Sequence, residues 1–517
     1  MKPVNILWAD DEIELLKPHI LFLEEKGCRV RSTVSGTDAL AALGEETFDL
    51  VFLDENMPGV GGIETLLEIK RKYPSLPVVM ITKSEEEDLM EQAIGKQIAD
   101  YLIKPVNPKQ VLLAVKKLVH GQEIISEKTT LDYQSQFMRL SDSIGAATTP
   151  DDWRALYKDL LYWELQLGES NPQMSDMLRS QKTEANARFA KYVKKEYAGW
   201  AAGAEGRPVM SPDLFKTKVF PLLDHGEKVF FVLIDNLRLD QWTALRRELS
   251  RDFAFAEDET FYSILPTATQ YSRNAIFSGL MPLQIKRMFP DLWVDEEEDE
   301  GKNQNEEALI ATQLKRYRKD YKFSYYKIAN NQAGEKYNET LKSLAANPLN
   351  VVVFNFVDML SHARTEVRLF RDLAPDEAAY RSVVLSWFKH GCIAEFFRQL
   401  GEMDVTVVLA TDHGSVRVKN PVKVAGDKHT NSNLRYKLGK NLAYDKKDFY
   451  VADQPASIGL PSPNLSTCYL FAAEDDFIAY PNNYNYYVSY YRDTFQHGGI
   501  SMEEMIIPVA TFKPKRP

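Results

Sequence analysis

The pattern of apolar and polar positions changes twice along the chain and divides it into three parts. Over residues 1–119 short apolar runs alternate with amphipathic stretches. The runs VNILWAD, CRVRSTV, FDLVFLD, PVVMIT and IADYLIK have strand length, and stretches such as IELLKPHILFLEEKG and GIETLLEIKRKY have helical spacing. Five βα units in this order predict a doubly wound, five-stranded parallel sheet with helices on both faces. Residues 120–220 keep helical spacing and almost lose the strand signal, as in DDWRALYKDLLYWELQL and EANARFAKYVKKEYAGWAA. Breaks are expected at Pro150, Asn171-Pro172 and Gly206-Arg207-Pro208. This part reads as an all-helical connector. Over 221–517 an αβ pattern returns. KVFFVLIDN, NVVVFNFVD and DVTVVLATD are continuous apolar runs ended by an acid, as strands buried on both faces of a parallel sheet would be. The helix-like stretch FRDLAPDEAAYRSVVLSWFKHGCIAEFFRQL separates the second run from the third. The polar segment 295–345 opens with DEEEDE and reads as a surface insertion, because six adjacent acids resist burial.

Composition narrows the function. The chain has 517 residues, 44% hydrophobic and 26% charged, with a formal net charge of −11. That balance argues against wrapping duplex DNA but leaves room for a local basic patch on a short nucleic acid. Cys28, Cys392 and Cys468 lie far apart, make no disulfide framework or CxxC zinc site, and fit a reducing compartment. No signal-like start and no apolar run of membrane-spanning length is seen, so a soluble, cytoplasmic protein without membrane insertion is expected.

Two constellations carry chemistry. In the first part, Asp10 and Asp11 end the first strand, Asp54 the third, Thr82 the fourth and Lys104 the fifth. Ligands bind at the carboxyl ends of such strands. Three carboxylates there call for a divalent cation, and Mg²⁺ suits hard oxygen ligands. Asp54 would then act as nucleophile toward a phosphoryl donor, with Lys104 neutralising the developing charge. The stretches ILWADDE, LDENMPG, ITK and YLIKP resemble the receiver domain of two-component response regulators. The resemblance implies that Asp54 is the phosphoacceptor and that Asp10, Asp11, Asp54 and the Asn56 carbonyl serve Mg²⁺. It further implies that Thr82 and Tyr101 form the switch pair, that Lys104 contacts the phosphoryl group, and that Lys104-Pro105 is cis. The partner so implied is a sensor histidine kinase. No helix-turn-helix follows, so the output is not the usual duplex DNA-binding domain.

In the third part, Asp235, Asp358, His362, Asp412, His413 and His497 gather at strand ends or just beyond them. Asp358 and His362 share a face if a helix starts there. Three Asp and three His suit two Zn²⁺ ions better than one. Thr269 precedes the amphipathic QYSRNAIF. It would either cap that helix or, at its phosphate-attracting N-terminus, present a hydroxyl nucleophile. Spacing alone allows Thr267 as well. The order Asp, Thr, Asp-x-x-x-His, Asp-His, His resembles the alkaline phosphatase superfamily, and more nearly its nucleotide pyrophosphatase/phosphodiesterase branch. TNSNLRYK and HGGISMEEMIIPV look like its PglZ domain. A receiver, a helical connector and a PglZ domain together resemble the PorX-type response regulators of type IX secretion. The resemblance implies domains at 1–119, 120–220 and 221–517, the last of αβα type. It assigns Asp235, Thr269, Asp412 and His413 to one zinc, Asp358, His362 and His497 to the other, and nucleophilic attack to Thr269.

The substrate is read from charge. A monoesterase needs extra positive groups at phosphate, and Arg273, one turn after Thr269, would supply one unless it is solvated. Residues 416–440 concentrate base, with Lys428, Arg435 and Lys437 as candidates to track an oligonucleotide. YPNNYNYYVSYYRD offers tyrosines on which bases would stack, although such runs also pack in cores and interfaces. The expected function is a cytoplasmic response regulator, dimerising on phosphorylation of Asp54. Its output would be a two-zinc phosphodiesterase for oligonucleotides or cyclic nucleotides, controlling type IX secretion. Alternatives are a zinc-stabilised scaffold for a sigma factor or secretion component, and a phosphomonoesterase.

Overall fold

The computed structural model divides into two compact units, 1–133 and 134–517. The structure describes residues 3–515 other than 75, 83–97, 120, 169–171, 297, 299–300, 367–373, 427–430 and 465, and only the backbone of 121–127, 364 and 366.

The first unit runs β1 (Val4–Ala9), α1 (Lys17–Glu25), β2 (Cys28–Thr33), α2 (Gly36–Glu45), β3 (Leu50–Asp54), α3 (Gly62–Lys72), β4 (Val78–Thr82), β5 (Asp100–Ile103) and α4 (Pro108–Val119). The strands pair in parallel in the order β2-β1-β3-β4-β5. Alternation along each strand sorts the core into two faces. Ile6, Trp8, Phe52 and Ile81 face one side, and Leu7, Ala9, Val51, Leu53 and Met80 the other. The edge strand β2 carries arginines at alternate positions and is only half-buried. Strand order reverses between β1 and β3, which opens the ligand crevice at their carboxyl ends.

Helix α5 (Gly121–Ala146) carries the boundary between the units; α6 (Pro150–Leu167) and α7 (Pro172–Ala201) follow. Pro150 and Pro172 start helices, where a missing N–H costs nothing, whereas Pro208 lies in the irregular stretch that follows α7. Before Pro150, Thr149 and Asp152 form a reciprocal capping box. Trp153 on α6 packs edge-on against Phe189 on α7, with centroids 5.4 Å apart.

The main elements of the rest are β6 (Val229–Ile234), α8 (Leu239–Leu249), β7 (Phe253–Tyr262), α9 (Thr269–Ser278), α10 (Glu306–Arg316), β8 (Phe323–Ile328), α11 (Asn331–Leu344), β9 (Leu349–Phe354), α12 (Phe356–Glu366), α13 (Glu377–His390), α14 (Cys392–Gly401), β10 (Thr406–Ala410), β11 (Val416–Arg417), β12 (Tyr436–Lys440), α15 (Tyr484–Tyr491), β13 (Phe495–Gln496) and β14 (Ile506–Pro514). The central sheet has the order β7-β14-β10-β6-β9-β8. The three apolar runs are its adjacent parallel strands β10, β6 and β9, buried throughout. The sheet is mixed, not wholly parallel. β14 pairs antiparallel with β10 and β7, because it leaves a single helical turn at the strand-end edge and can only run back.

The polar segment 295–345 is not simply a surface insertion. It supplies α10 and the edge strand β8, whose half-buried side chains weaken the apolar signal. Glu296, within DEEEDE, is only 11% exposed and accepts hydrogen bonds from the hydroxyls of Tyr271 (3.0 Å) and Tyr436 (2.9 Å).

Candidate functional site

In the first unit Asp10 and Asp54 are buried at the β1–β3 crevice and Asp11 is exposed, with carboxylate oxygens of all three within 4.8 Å of one another. Lys104 Nζ lies 2.8 Å from Asp10 Oδ2 and 2.7 Å from Asp54 Oδ1. Asp54 Oδ2 accepts the Asn56 N–H at 3.1 Å. Burial pushes the Asp54 carboxyl up, and Lys104 only partly offsets it. Three carboxylates against one ammonium leave negative charge that a divalent cation would neutralise. The Thr82 hydroxyl donates to Glu55, and Tyr101 packs half-buried against the core on β5, beside β4. Lys104-Pro105 is cis.

In the second unit the parallel strands β6, β9 and β10 end at one edge, and the six Asp and His residues meet there. Asp235 follows β6 directly, Asp358 and His362 lie one turn apart on α12, and Asp412-His413 follow β10. His497 enters just after β13. They form two groups, Asp235/Asp412/His413 and Asp358/His362/His497, each with one ligand atom per residue within 4.8 Å of the others. The groups adjoin: the His413 and His497 rings stack with centroids 4.2 Å apart. Nδ1 of His413 bonds the Gly414 carbonyl and Nδ1 of His497 the Thr267 carbonyl, both at 3.1 Å. Those bonds place the ring proton on Nδ1 and leave Nε2 of each as the lone-pair nitrogen. His362, 60% exposed, stands at the mouth.

The donor set fits metal. Asp412 Oδ2 is buried and, among the described residues, has no hydrogen-bond partner. Burial and the neighbouring Asp235 push Asp412 well above the usual carboxylate range, and push Asp358 up to about 6. Burial and the neighbouring imidazoles hold His497 well below the ordinary histidine value. Carboxylates that resist charge beside imidazoles that stay neutral are electrostatics that a bound cation would relieve.

Thr269 and Thr267 are separated by geometry. Ala268 occupies the cap position of α9, so Thr269 is the first helical residue and its side chain caps nothing. Its hydroxyl lies 3.1 Å from His413 Nε2 and 3.4 Å from Asp235 Oδ1. The Thr267 hydroxyl is committed elsewhere: it donates to the Gly499 carbonyl at 3.0 Å and accepts the Gly498 N–H at 2.9 Å.

Other expectations are corrected. Arg273 is 1% exposed and is neither solvated nor free. Its Nη1 lies 2.7 Å from Asp235 Oδ2 and its Nε 2.5 Å from Glu306 Oε1, because α9 is buried on all sides and its arginine needs two carboxylates. Arg435 is fully buried, bonded to both oxygens of Glu504 and to the carbonyls of Ala473 and Glu474. The Lys437 ammonium is buried against the Asn431 carbonyl and the Tyr480 ring, and burial pushes it down to about 7. Arg417 and Lys419 pair with Asp493 and Asp475, each at 3.1 Å. Arg435 and Lys437 thus turn inward and Arg417 and Lys419 are spent on acids, which leaves none of the four as a free cation for a phosphate track; Lys428 lies outside the described residues.

Asn236 is a site residue that sequence reasoning missed. At φ 61° it donates its N–H to Asp412 Oδ1 at 3.3 Å and its side-chain amide to Asp358 Oδ1 at 3.1 Å, so it orients a carboxylate of each group. The available signal was an Asn directly after a strand-end Asp, since Asn tolerates the left-handed conformation.

Comparison with known proteins identifies the families of the three parts. The family described as response regulator receiver domain matches residues 6–116, the PorX response regulator linker domain 123–201, and the BREX system PglZ alkaline phosphatase-like domain 214–512. Among curated proteins, the transcriptional regulatory protein ResD of Bacillus subtilis is 34% identical over 167 residues, covering 30% of this chain and 69% of ResD. The transcriptional regulatory protein ZraR of Klebsiella oxytoca is 34% identical over 140 residues, 27% of this chain. The chain spans only about a third of ZraR's length (32%). Among solved structures, a CheY-like receiver domain protein from Methanospirillum hungatei is 26% identical, covering 23% of this chain and 97% of its own, with a TM-score of 0.23. A receiver of this kind implies a cognate histidine kinase, and among the described residues no helix is long and apolar enough to cross a membrane. With its PglZ match over more than half its length, and a receiver and a PorX linker ahead of it, the chain belongs to the PorX-type response regulators.

Proposed function

We propose that the output domain is a zinc-dependent phosphodiesterase for oligonucleotides or cyclic nucleotides, controlled by phosphorylation of Asp54. The observation that carries this is the Thr269 hydroxyl, uncapped at a helix N-terminus and 3.1 Å from His413 Nε2, beside two adjoining Asp/His groups. Asp235, Asp412 and His413, with Thr269, would hold one Zn²⁺, and Asp358, His362 and His497 the other. Such a pair supplies Lewis acidity at a phosphoryl group and lowers the pKa of a coordinated hydroxyl. Asn236 and Arg273 hold the carboxylates in place, and the α9 N-terminus directs its amides at the phosphate. Thr269 Oγ1 forms the bond to phosphorus as the leaving oxygen departs with a proton. Water then cleaves the threonyl ester and returns the hydroxyl. Commitment of Arg273 to Asp235 and Glu306 leaves that guanidinium unavailable to a doubly charged monoester, which favours a diester. By the same reading, phosphorylation drives dimerisation, and the regulator acts in type IX secretion.

The test compares metal content with hydrolysis of bis(p-nitrophenyl) phosphate and p-nitrophenyl phosphate. We expect about two zincs per chain and diester hydrolysis exceeding monoester hydrolysis. Thr269→Val should keep the metal and lose at least about a hundredfold in diester rate. Full zinc with no hydrolysis of either ester would refute the enzymatic reading and leave a zinc-stabilised scaffold.

A further inference from the structure

Helix α15 presents an aromatic surface that the metal site does not use. Tyr484, Val488 and Tyr491 turn inward onto a cluster formed by Val416, Val418, Leu434, Phe477 and Ala479. Tyr486 turns outward and is 63% exposed. One turn along the helix Tyr490 stacks on it, with centroids 5.9 Å apart and planes at 17°. Tyr487 meets the Tyr486 ring edge-on at 5.4 Å.

The surroundings indicate the class of ligand. Residues 480–492 hold six of the 25 tyrosines and three asparagines, and no acid, in a chain with 74 Asp and Glu. Lys423 Nζ sits 4.5 Å from the Tyr484 centroid, and Arg492 ends the helix exposed. Among the described residues neither forms an ion pair, whereas Arg417 and Lys419 nearby do. The outward face carries no Leu, Ile, Phe or Met. Phenol rings, amides and cations without an acidic partner among the described residues suit bases and phosphates better than the apolar centre of a protein interface.

A short ribbon also joins the helix to the Asp/His groups. β11 and β13 pair antiparallel, Val416 with Gln496 and Arg417 with Phe495. His413 and His497, stacked on each other, lie at one end of this ribbon, and α15 joins the other through Asp493. Tyr491 and His497 are six residues apart, so the chain between them spans at most ~20 Å. A strand of a few nucleotides covers that reach.

We propose that Tyr486 and Tyr490 form a stacking platform for bases of a single-stranded oligonucleotide whose scissile phosphodiester lies at the Asp/His cluster. The proposal rests on the phosphodiesterase reading for the position of the phosphate, and it adds residues that select a polymeric substrate over a small diester. Stacking on an aromatic side chain is worth roughly tenfold or more in affinity per base.

The experiment uses the full chain with its metal and the double variant Tyr486→Ala/Tyr490→Ala. Substrates are a fluorophore-labelled single-stranded hexanucleotide and bis(p-nitrophenyl) phosphate. We expect kcat/KM on the hexanucleotide to fall about tenfold or more, chiefly through KM, with the aryl diester within about twofold and Tyr486→Phe/Tyr490→Phe close to the parent. Binding of the hexanucleotide is read separately by fluorescence anisotropy in a Thr269→Val background, where the alanine pair should weaken Kd about tenfold. Unchanged hexanucleotide binding and turnover, as expected if the helix serves a protein partner, overturns the platform, as does an equal loss on both substrates. If the parent cleaves no diester while the alanine pair still abolishes binding, the platform stands and the phosphodiesterase reading fails. If the parent neither binds nor cleaves the hexanucleotide, the platform is refuted.

Discussion

Lys437 shows how far a single side chain departs from its expected role. Its ammonium is buried, with a carbonyl and a ring as neighbours, and its folded pKa of about 7 lies below the unfolded value near 10.5. Between those values the unfolded chain binds more protons, so stability at this position rises with pH from about 7 toward 10.5. Below pH 7 the desolvation cost is present in full. Lys437→Met should therefore raise stability at pH 6 by about 1–3 kcal/mol, with the gain shrinking as pH approaches 10. Denaturant melts at the two pH values check this; a constant difference would show that proton release contributes nothing. Arg273 differs in kind. It bridges Asp235 and Glu306, so its charge is spent within the fold while it steadies the Asp235 carboxylate. Both basic residues were visible in the sequence. Their burial was not, because charge alone does not say which face of a helix or strand meets the core.

At the scale of elements, the site depends on what backs β10. Gly414 leaves no room for a side chain: a Cβ there would lie 2.1 Å from the Glu503 carbonyl oxygen. Gly414 N–H donates to the Glu504 carbonyl at 3.1 Å, which ties the His413 segment to the turn before β14. Helix α7 holds that turn from the other side. Asn186 donates to Glu503 Oε2 and accepts the Met502 N–H, both at 2.8 Å. The helical connector thus reaches the segment after β10 through this turn. Gly414→Ala should cost about 1–3 kcal/mol through overpacking and also reduce bound metal, because His413 must shift. Thermal melts and zinc per chain together test it; normal metal content with reduced stability would show that the strand end tolerates the displacement. The apolar runs and the Asp-His ending of β10 were legible, since both are local. The packing partner of Gly414 is 89 residues away, at Glu503, and no local pattern encodes it.

For the whole molecule, two acidic sites lie in separate compact units. If the proposed zinc pair is present, removing it with a chelator should lower the melting temperature of the second unit by several degrees, because Asp235, Asp358 and Asp412 would lose the cations that offset their repulsion. Asp54→Asn should abolish labelling by a small phosphoryl donor and leave zinc content unchanged. Calorimetry with metal analysis separates the two effects; loss of zinc in Asp54→Asn would show that the sites are not independent.

The order of strands, helices and strand-end acids along the chain was enough to indicate a receiver, a helical connector and an alkaline phosphatase-like domain. Hydrophobic periodicity is a local consequence of burial, and motif spacing is carried by consecutive residues. What required the folded molecule was everything set by distant neighbours. The tertiary structure separated Thr269 from Thr267 through bonds to Gly498 and Gly499. It turned Arg273, Arg435 and Lys437 inward, and it placed β14 antiparallel beside β10. It brought Asn236 between the two ligand groups and left Tyr486 facing out. A residue's type sets what chemistry it can do; which atoms it meets is decided by packing across the sheet, where sequence separation has no bearing.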